Sequence, residues 1–368
     1  MLLRALELTA FRNLADTVLQ PGPQLNVLAG DNAQGKTNLL EAIYLLGTLR
    51  SFRASKLGEL MRWDVEAAGG SARVAGRVDT RGIERKHEVT IQAGKKVARL
   101  DGKGVRSPTD YFKWLTTVLF TPDDLGVLRG SPGGRRRLLD RAVFNRTPAY
   151  LGEHNDYQRA LKSRNAILKD GGPDDMLEIW DFHLARYGAR VVARRLAYIG
   201  ELGPRVAAGY EAITHTGLSA RLEYQGLEGL PAGASEADIH AALVTAIGRS
   251  RGRDRARQFS SVGPHADDLG LWLDDRDVRL YASQGQTRAL ALALKIAEIR
   301  LLRDVHGSDP ILLLDDVSSE LDPQRNAHLF DFLDEVACQC FLTTTHPEYV
   351  RARLNRKDYR VVNGVIEG

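Results

Sequence analysis

The spacing of apolar and polar residues changes its period twice along this chain. Near the start, Leu6 and Leu8 alternate with polar neighbours, and Leu25 to Ala29 form a short apolar run that stops at a glycine. Ala72 to Val78, His87 to Gln92 and Lys96 to Leu100 alternate in the manner of antiparallel strands, and Asp101-Gly102 adds a hairpin turn signal after the third. Asn38 to Leu46 reads as the one helix among these strands.

From about Thr121 to Arg257 the period becomes helical, most clearly over Tyr150 to Leu168 and from Leu177 to about Ala208. Gly171-Gly172-Pro173 separates those two stretches, and so short a break predicts antiparallel neighbours. Trp180, His183 and Tyr187 at helical spacing read as packing, and Gly226 to Ala234 reads as a loop. Beyond Arg257 the mixed pattern returns. Ala289 to Leu302 is an apolar helix, Ile311 to Leu314 and Cys340 to Thr345 are buried strands, and Asn363-Gly364 closes a terminal hairpin. The expected architecture is an α/β head in two parts, residues 1–120 and 258–368, with a mainly helical domain, 121–257, inserted between them.

Composition narrows the class. The chain has 368 residues, 43% hydrophobic and 27% charged, which suits a globular protein with a substantial core. No apolar stretch is long enough to cross a bilayer, and the start MLLRALELTAFRNL lacks a cleavable signal pattern, so a cytoplasmic location is expected. Cys338 and Cys340 would share one side of a strand, where a mutual disulfide is strained, and no His or Cys cluster completes a zinc site. The formal net charge is only +4, but arginines bunch at 135–137 and 141, at 190, 194 and 195, and at 249, 251, 253, 255 and 257. Such clusters suit phosphate backbones, and they equally suit solvated helix faces.

The chemistry begins at Gly30-Asp31-Asn32-Ala33-Gln34-Gly35-Lys36-Thr37, a complete P-loop pattern placed after a predicted strand and at the start of a helix. The glycines permit a tight loop whose N–H groups turn onto a phosphate, and the helix N-terminus adds partial positive charge. Lys36 is expected on the β- and γ-phosphates of ATP, and the Thr37 hydroxyl on Mg²⁺. Ile311-Leu312-Leu313-Leu314-Asp315-Asp316 supplies the matching Walker B strand, with Asp315 for Mg²⁺ and Asp316 for the attacking water.

Ser283-Gln284-Gly285-Gln286 stands before the apolar helix and resembles the ABC signature that acts on the nucleotide of a second subunit. Ser followed three residues later by Gln is also a capping box, and both readings hold at once. Ser318-Ser319-Glu320-Leu321-Asp322 resembles a D-loop, and Thr343-Thr344-Thr345-His346 the strand that ends in a switch histidine.

Two head halves at the chain ends with helices between them look like the SMC family of ABC-type ATPases. The insertion, roughly 130 residues, is too short for the long SMC coiled coil, and this resembles the RecF-like branch of that family. Phe11-Arg12-Asn13-Leu14, the P-loop through Leu39-Leu40-Glu41-Ala42-Ile43, Ser131-Pro132 and Arg136-Arg137-Leu138-Leu139-Asp140 carry the likeness. So do Gly263-Pro264-His265-Ala266-Asp267-Asp268, the signature segment and the Walker B segment through Asp322.

The resemblance implies an ATP-driven homodimer in DNA repair, recombination, replication and the SOS response. Such a dimer binds gapped or single-strand/double-strand junction DNA, sits with the nucleoid, and works with RecR, and through it RecO and RecA. It implies weak, DNA-stimulated ATP hydrolysis, with Arg12 as a nucleotide contact and Arg135, Arg136, Arg137, Arg251, Arg253 and Arg255 as candidate DNA contacts. The chain departs from the ABC pattern in three places. No Gln follows the strand Thr117 to Phe120, which leads instead into Thr121-Pro122-Asp123-Asp124. Asp316 stands where many ABC proteins have Glu, which predicts slow turnover, and Ala266 stands where the family often has Arg.

Three other readings use some of the same residues. A transporter subunit shares the P-loop and signature, but the roughly 280 residues between P-loop and Walker B exceed what it needs. A small-molecule phosphotransferase has no use for a signature helix, and a clamp that binds ATP without hydrolysing it fits the same motifs.

Overall fold

The computed structural model describes residues 1–105, 107–231, 233–317, 321–336, 338–350 and 355–368. In chain order the first part contains β1 (Leu2–Thr9), β2 (Thr17–Leu19), β3 (Leu25–Ala29), α1 (Lys36–Thr48) and α2 (Trp63–Ala67). It continues through β4 (Ser71–Thr80), β5 (Ile83–Gln92), β6 (Lys95–Leu100), β7 (Lys103–Gly104), α3 (Pro108–Phe112), β8 (Thr117–Phe120) and α4 (Pro122–Val127). Next come α5 (Pro132–Arg146), α6 (Tyr150–Asp170), α7 (Asp174–Thr214), β9 (Ala220–Gln225), α8 (Glu236–Arg257), β10 (Asp268–Leu273) and β11 (Arg276–Asp277). Last are α9 (Val278–Tyr281), α10 (Gln284–His306), β12 (Ile311–Asp315), α11 (Pro323–Val336), β13 (Cys340–Thr344), β14 (Arg356–Val362) and β15 (Val365–Glu367).

These elements form two compact units, one of Met1–Leu125 with Glu298–Gly368, the other of Gly126–Ala297. The first holds two six-stranded sheets. One is antiparallel in the order β2-β1-β4-β5-β6-β7; the other runs β15-β14-β3-β13-β12-β8, with β14, β3, β13, β12 and β8 parallel. Helix α1 touches β4 and β5 of the one sheet and β8, β12 and β13 of the other, so it is covered on both sides. That explains why it buries residues all the way round, from Leu39 to Thr48. Leu3, Leu6, Val74, Val78 and Val89 from the antiparallel sheet, and Leu119, Leu313 and Phe341 from the parallel one, complete this core.

Register decides what the parallel sheet can present. Ala29 pairs with Thr344, Asp315 with Thr343 and Leu314 with Phe120. The loops after β3, β12, β13 and β8 therefore leave at one edge, the edge where open α/β sheets bind ligands.

In the second unit α6 and α7 are antiparallel neighbours across the Gly171 break, with Gly171 in the left-handed conformation that ends α6. Helix α8 lies along α7, and a small sheet in the order β11-β10-β9 joins them. The helical insertion expected over 121–257 is therefore not the whole unit. Strand β9 pairs residue for residue with β10, Ala220 with Leu273 through Gln225 with Asp268, which carries the unit on to Ala297. The segment from Gly263 to Asp268 is an anchor within it. Arg195 donates to the Pro264 carbonyl (2.7 Å), Tyr224 to Asp267 (2.5 Å) and fully buried Arg135 to both oxygens of Asp268 (2.9 and 2.5 Å), while Tyr157 meets His265.

Candidate nucleotide site

The loop between β3 and α1 is held by two glycines that no other residue replaces. Gly30 and Gly35 have φ of 156° and 115°, and a Cβ on Gly30 would run into the Val361 carbonyl of the neighbouring strand β14. The turn of the terminal hairpin braces the loop, with Gly364 N–H donating to the Gln34 carbonyl (3.0 Å) and Asn363 N–H to Gln34 Oε1 (2.5 Å). On the other side Asn38 donates to Asn13 (2.7 Å), whose own amide reaches the Ala33 carbonyl (3.5 Å). Asp31 and Asn32 complete the loop at its exposed tip.

Lys36 opens α1, and its Nζ donates to the Gly30 and Asp31 carbonyls (2.6 and 2.7 Å). Burial lowers its pKa from the ordinary lysine value, opposed by the nearby charges of Asp316, Asp31 and Asp315. Thr37 Oγ1 donates to Asp315 Oδ1 across 2.7 Å, and Thr343 Oγ1 donates to the same oxygen across 2.9 Å. Burial raises the Asp315 pKa, with the two hydroxyl hydrogen bonds working against that rise. The Thr343 hydroxyl also accepts from the Asp316 N–H (2.9 Å), and Asp316 itself sits at φ 50°. A non-glycine residue there costs on the order of 1–3 kcal/mol, and such strain gathers at functional sites.

The donor set fits a small hard cation. Two hydroxyls, of Thr37 and Thr343, meet one carboxylate, that of Asp315, so the donors brought together are all oxygen. Among the described residues no group of three acidic, His or Cys side chains forms a cage, which matches a Mg²⁺ that takes its other ligands from phosphates and water.

The remaining predicted residues fall in several places. His346 follows β13 with its ring exposed, paired to Glu348 (3.1 Å), and its N–H donates to Thr344 (3.0 Å). Arg12 is engaged by Glu41 of α1 in a two-pronged ion pair (2.8 and 2.9 Å), with Glu41 fully buried and also bonded by Ser51. Ser318 and Ser319 lie outside the described residues; Asp322 caps α11 through the Arg325 N–H (3.0 Å). Ser283 and Gln286 form a reciprocal capping box at the start of α10, the Ser283 N–H donating to Gln286 Oε1 (2.8 Å) and the Gln286 N–H to Ser283 Oγ (3.1 Å). Ser283 and Gln284 are exposed, and Gly285 is half-buried. Thr343 and Glu41 carry no site role in their own local patterns, since each acts through a partner distant in sequence.

One of the arginines expected at DNA requires correction. Arg135 is wholly buried against Asp268 and the Leu128 and Gly130 carbonyls, so it cannot reach a ligand outside the fold. Arg251 is held by Asp181 and Glu178, and Arg255 by Asp174 and the Gly172 carbonyl. Arg136 donates to the Asp267 carbonyl (2.6 Å), while Arg137 and Arg253 are exposed.

A glycine-bounded loop between strand and helix, an acid-ending strand two places away in a parallel sheet and a covering antiparallel sheet define an ATPase head of the ABC/SMC class. The family model "RecF/RecN/SMC N terminal domain" matches residues 2–364. The DNA replication and repair protein RecF of Myxococcus xanthus is 47% identical over 355 residues, covering 95% of this chain and 92% of its own. Two solved structures of the recombination mediator protein RecF in the RecFOR pathway are similar along their length. The one with ATPrS has TM-score 0.91 at 32% identity, covering 99% of this chain and 97% of its own. The one with ATP has TM-score 0.88 at 31% identity, covering 100% and 97%. The chain belongs to the RecF family of SMC-type ATPases. No helix among the described residues is long and apolar enough to cross a membrane.

Proposed function

We propose that this chain is an ATP-dependent, DNA-binding homodimer of recombinational repair and replication-fork maintenance, in which slow hydrolysis acts as a release switch. The single observation that carries the reading is the 2.7 Å hydrogen bond from Thr37 to Asp315, which joins the P-loop to the Walker B strand. In this reading Gly30 to Thr37 wrap the phosphates, Lys36 moves from the loop carbonyls to the β- and γ-phosphates, and Arg12 contributes the nitrogen that Glu41 does not engage. Thr37 and Asp315 would hold a Mg²⁺, which would supply charge neutralisation to the phosphates. Asp316 takes the proton of the attacking water, with its backbone N–H anchored by Thr343, and His346 stands on the γ-phosphate side.

Ser283, Gln284, Gly285 and Gln286 act on the nucleotide of the second subunit, and Asp322 lines the same interface. The Ser283 Oγ that accepts the cap still has its O–H to donate, so helix capping and γ-phosphate binding coexist. The head parts at the two ends of the chain do the nucleotide chemistry, and the inserted part between them serves as a short arm. The DNA is gapped or junction DNA bound without sequence preference, and RecR, with RecO and RecA beyond it, is the partner system, in the cytoplasm on the nucleoid. The named RecF relatives support this assignment, and the ATP in one solved structure supports the cofactor.

Sedimentation of the purified chain with Mg²⁺ and ADP, with a non-hydrolysable ATP analogue, and with that analogue plus gapped duplex tests the reading. Lone protomers with ADP, dimers with the analogue and a heavier complex with DNA are expected. One and the same species in all three samples would end it.

A further inference from the structure

Helix α8 carries five arginines over its last three turns, and the fold sorts them onto two faces. Ile247, Ser250 and Asp254 point inward and are buried, Asp254 pairing with fully buried Arg164 (2.8 Å). Arg251 and Arg255 flank that inner face and are neutralised by the carboxylates of α7. Arg249, Arg253 and Arg257 recur every four residues on the outer face, and all three are exposed. Arg249 and Arg257 have no ion-pair partner among the described residues, and Arg253 meets only the neutral hydroxyl of Ser261 (3.1 and 2.9 Å).

The surroundings of this stripe are as one-sided as its charge. From Thr245 to Arg257 the one acid is the buried Asp254, so this part of α8 itself offers no exposed carboxylate to its outer arginines. Gly248, Gly252 and Ala256 are exposed beside the arginines, and a Cβ built on either glycine meets nothing. A bulky chain can therefore approach the helix closely. Residues four apart rise about 6 Å along a helix axis, so three guanidinium groups cover about 12 Å. Duplex DNA carries one phosphate charge per about 1.7 Å of its axis, enough to offer several phosphates over that reach. Arginine's planar fork suits phosphate oxygens two at a time.

We infer that the outer face of α8, through Arg249, Arg253 and Arg257, is a docking surface for the sugar–phosphate backbone of duplex DNA. This rests on the DNA-binding reading above and names the face that serves it. Between Thr245 and Arg257 the face has no aromatic side chain on which bases of a single strand could stack, so it reads backbone alone. Within that stretch no large apolar side chain is exposed, and Val244 and Phe259 lie just beyond its ends.

The test is fluorescence anisotropy of a labelled duplex with the full chain and a non-hydrolysable ATP analogue, over a series of salt concentrations. The wild type, R249Q/R253Q/R257Q and R249K/R253K/R257K are compared, with thermal melting as a check on folding. Each lost phosphate contact lowers the slope of log K against log salt by about 0.9, so the Gln variant should lose about 2.7 per participating protomer. The Lys variant, which keeps the charge, should hold most of the wild-type slope. A Gln variant with the wild-type slope overturns the proposal and leaves the DNA-binding reading standing. A wild type that binds no duplex in any nucleotide overturns both. A Gln variant that binds DNA normally but no longer binds phosphatidylglycerol vesicles would give the stripe to a lipid surface, and the proposal would fall.

Discussion

The Thr37 hydroxyl donates to Asp315 Oδ1 across 2.7 Å, joining residues 278 positions apart in the chain. Neither residue gets there alone. Thr37 is placed by the first turn of α1, which is wedged between two sheets, and Asp315 by a strand whose four preceding residues are buried. A third residue ties them to the next step, because Thr343 Oγ1 donates to Asp315 and accepts from the Asp316 N–H.

That bridging makes Thr343 a positioning residue for hydrolysis. Replacing it by Val removes both hydrogen bonds with little change of shape, and releases the backbone of Asp316 from its left-handed position. Misplacement of a reacting group by about 1 Å can cost about 100-fold in rate. Steady-state phosphate release by Thr343→Val should therefore fall by up to about 100-fold in kcat with KM for ATP little altered. Thr343→Ser should stay near wild type. Equal turnover in both variants would remove Thr343 from the site.

Ser283 separates two roles by chemistry. Aspartate is as good a helix N-cap as serine, so Ser283→Asp should keep the start of α10 and the melting temperature. A carboxylate facing a γ-phosphate repels it, so ATP-driven dimerisation should be lost in that variant, as in Ser283→Arg. Binding of ATP to the lone protomer should persist in both. Light scattering that finds nucleotide-dependent dimers of Ser283→Asp would reduce Ser283 to a cap.

Much of the nucleotide site was legible because its parts are local patterns. A glycine-bounded loop between strand and helix, an apolar run ending in two acids, and a Ser-x-x-Gln before an apolar helix each declare themselves within a dozen residues. Long-range pairing was not legible. Strand β9 was absorbed into the helical insertion because Ala220 to Gln225 gains its identity only by lying against β10. The partners of the clustered arginines were hidden for the same reason. Arg135 and Asp268 are 133 positions apart, and Arg251 and Asp181 are 70, so nothing beside these arginines announced a partner. What the sequence held in plain view was the four-residue spacing of Arg249, Arg253 and Arg257, but spacing alone does not tell which face of a helix is outside.

Arg12 and Glu41 form another such pair. Glu41 is fully buried on α1, and its charge is matched by the Arg12 guanidinium and the Ser51 hydroxyl. Removing one partner of a buried ion pair leaves an uncompensated charge, at a cost of about 3–5 kcal/mol. Arg12 is partly exposed, which favours the lower end. Arg12→Ala should therefore unfold at lower denaturant concentration by about 3 kcal/mol, and Arg12→Ala with Glu41→Gln should recover much of the loss. A double variant as unstable as the single one would show that the pair matters through shape instead of charge.

Two buried titrating groups should make stability depend on pH in opposite directions. Asp267 is raised to about 6 from the ordinary 3.8, first by burial, against the Tyr224 hydrogen bond and the charges of Arg195 and Arg136. Between those two values the folded chain binds a proton that the unfolded chain does not, so this contribution to stability falls as pH rises from about 4 to about 6. His87, buried beside Tyr111, is lowered from 6.5 to about 4, again first by burial. Here the unfolded chain binds the extra proton, so stability rises with pH over nearly the same window and is fully present above 6.5. Each group is worth about 3 kcal/mol at the end of its range, since one pKa unit is about 1.4 kcal/mol. In the wild type the two largely cancel, and single variants expose them. Between pH 4 and 7 the wild type should lose about 3 kcal/mol relative to Asp267→Asn and gain about 3 kcal/mol relative to His87→Asn. Denaturant titrations at four pH values would measure both, and parallel curves for either variant would show that its residue does not titrate in the folded chain.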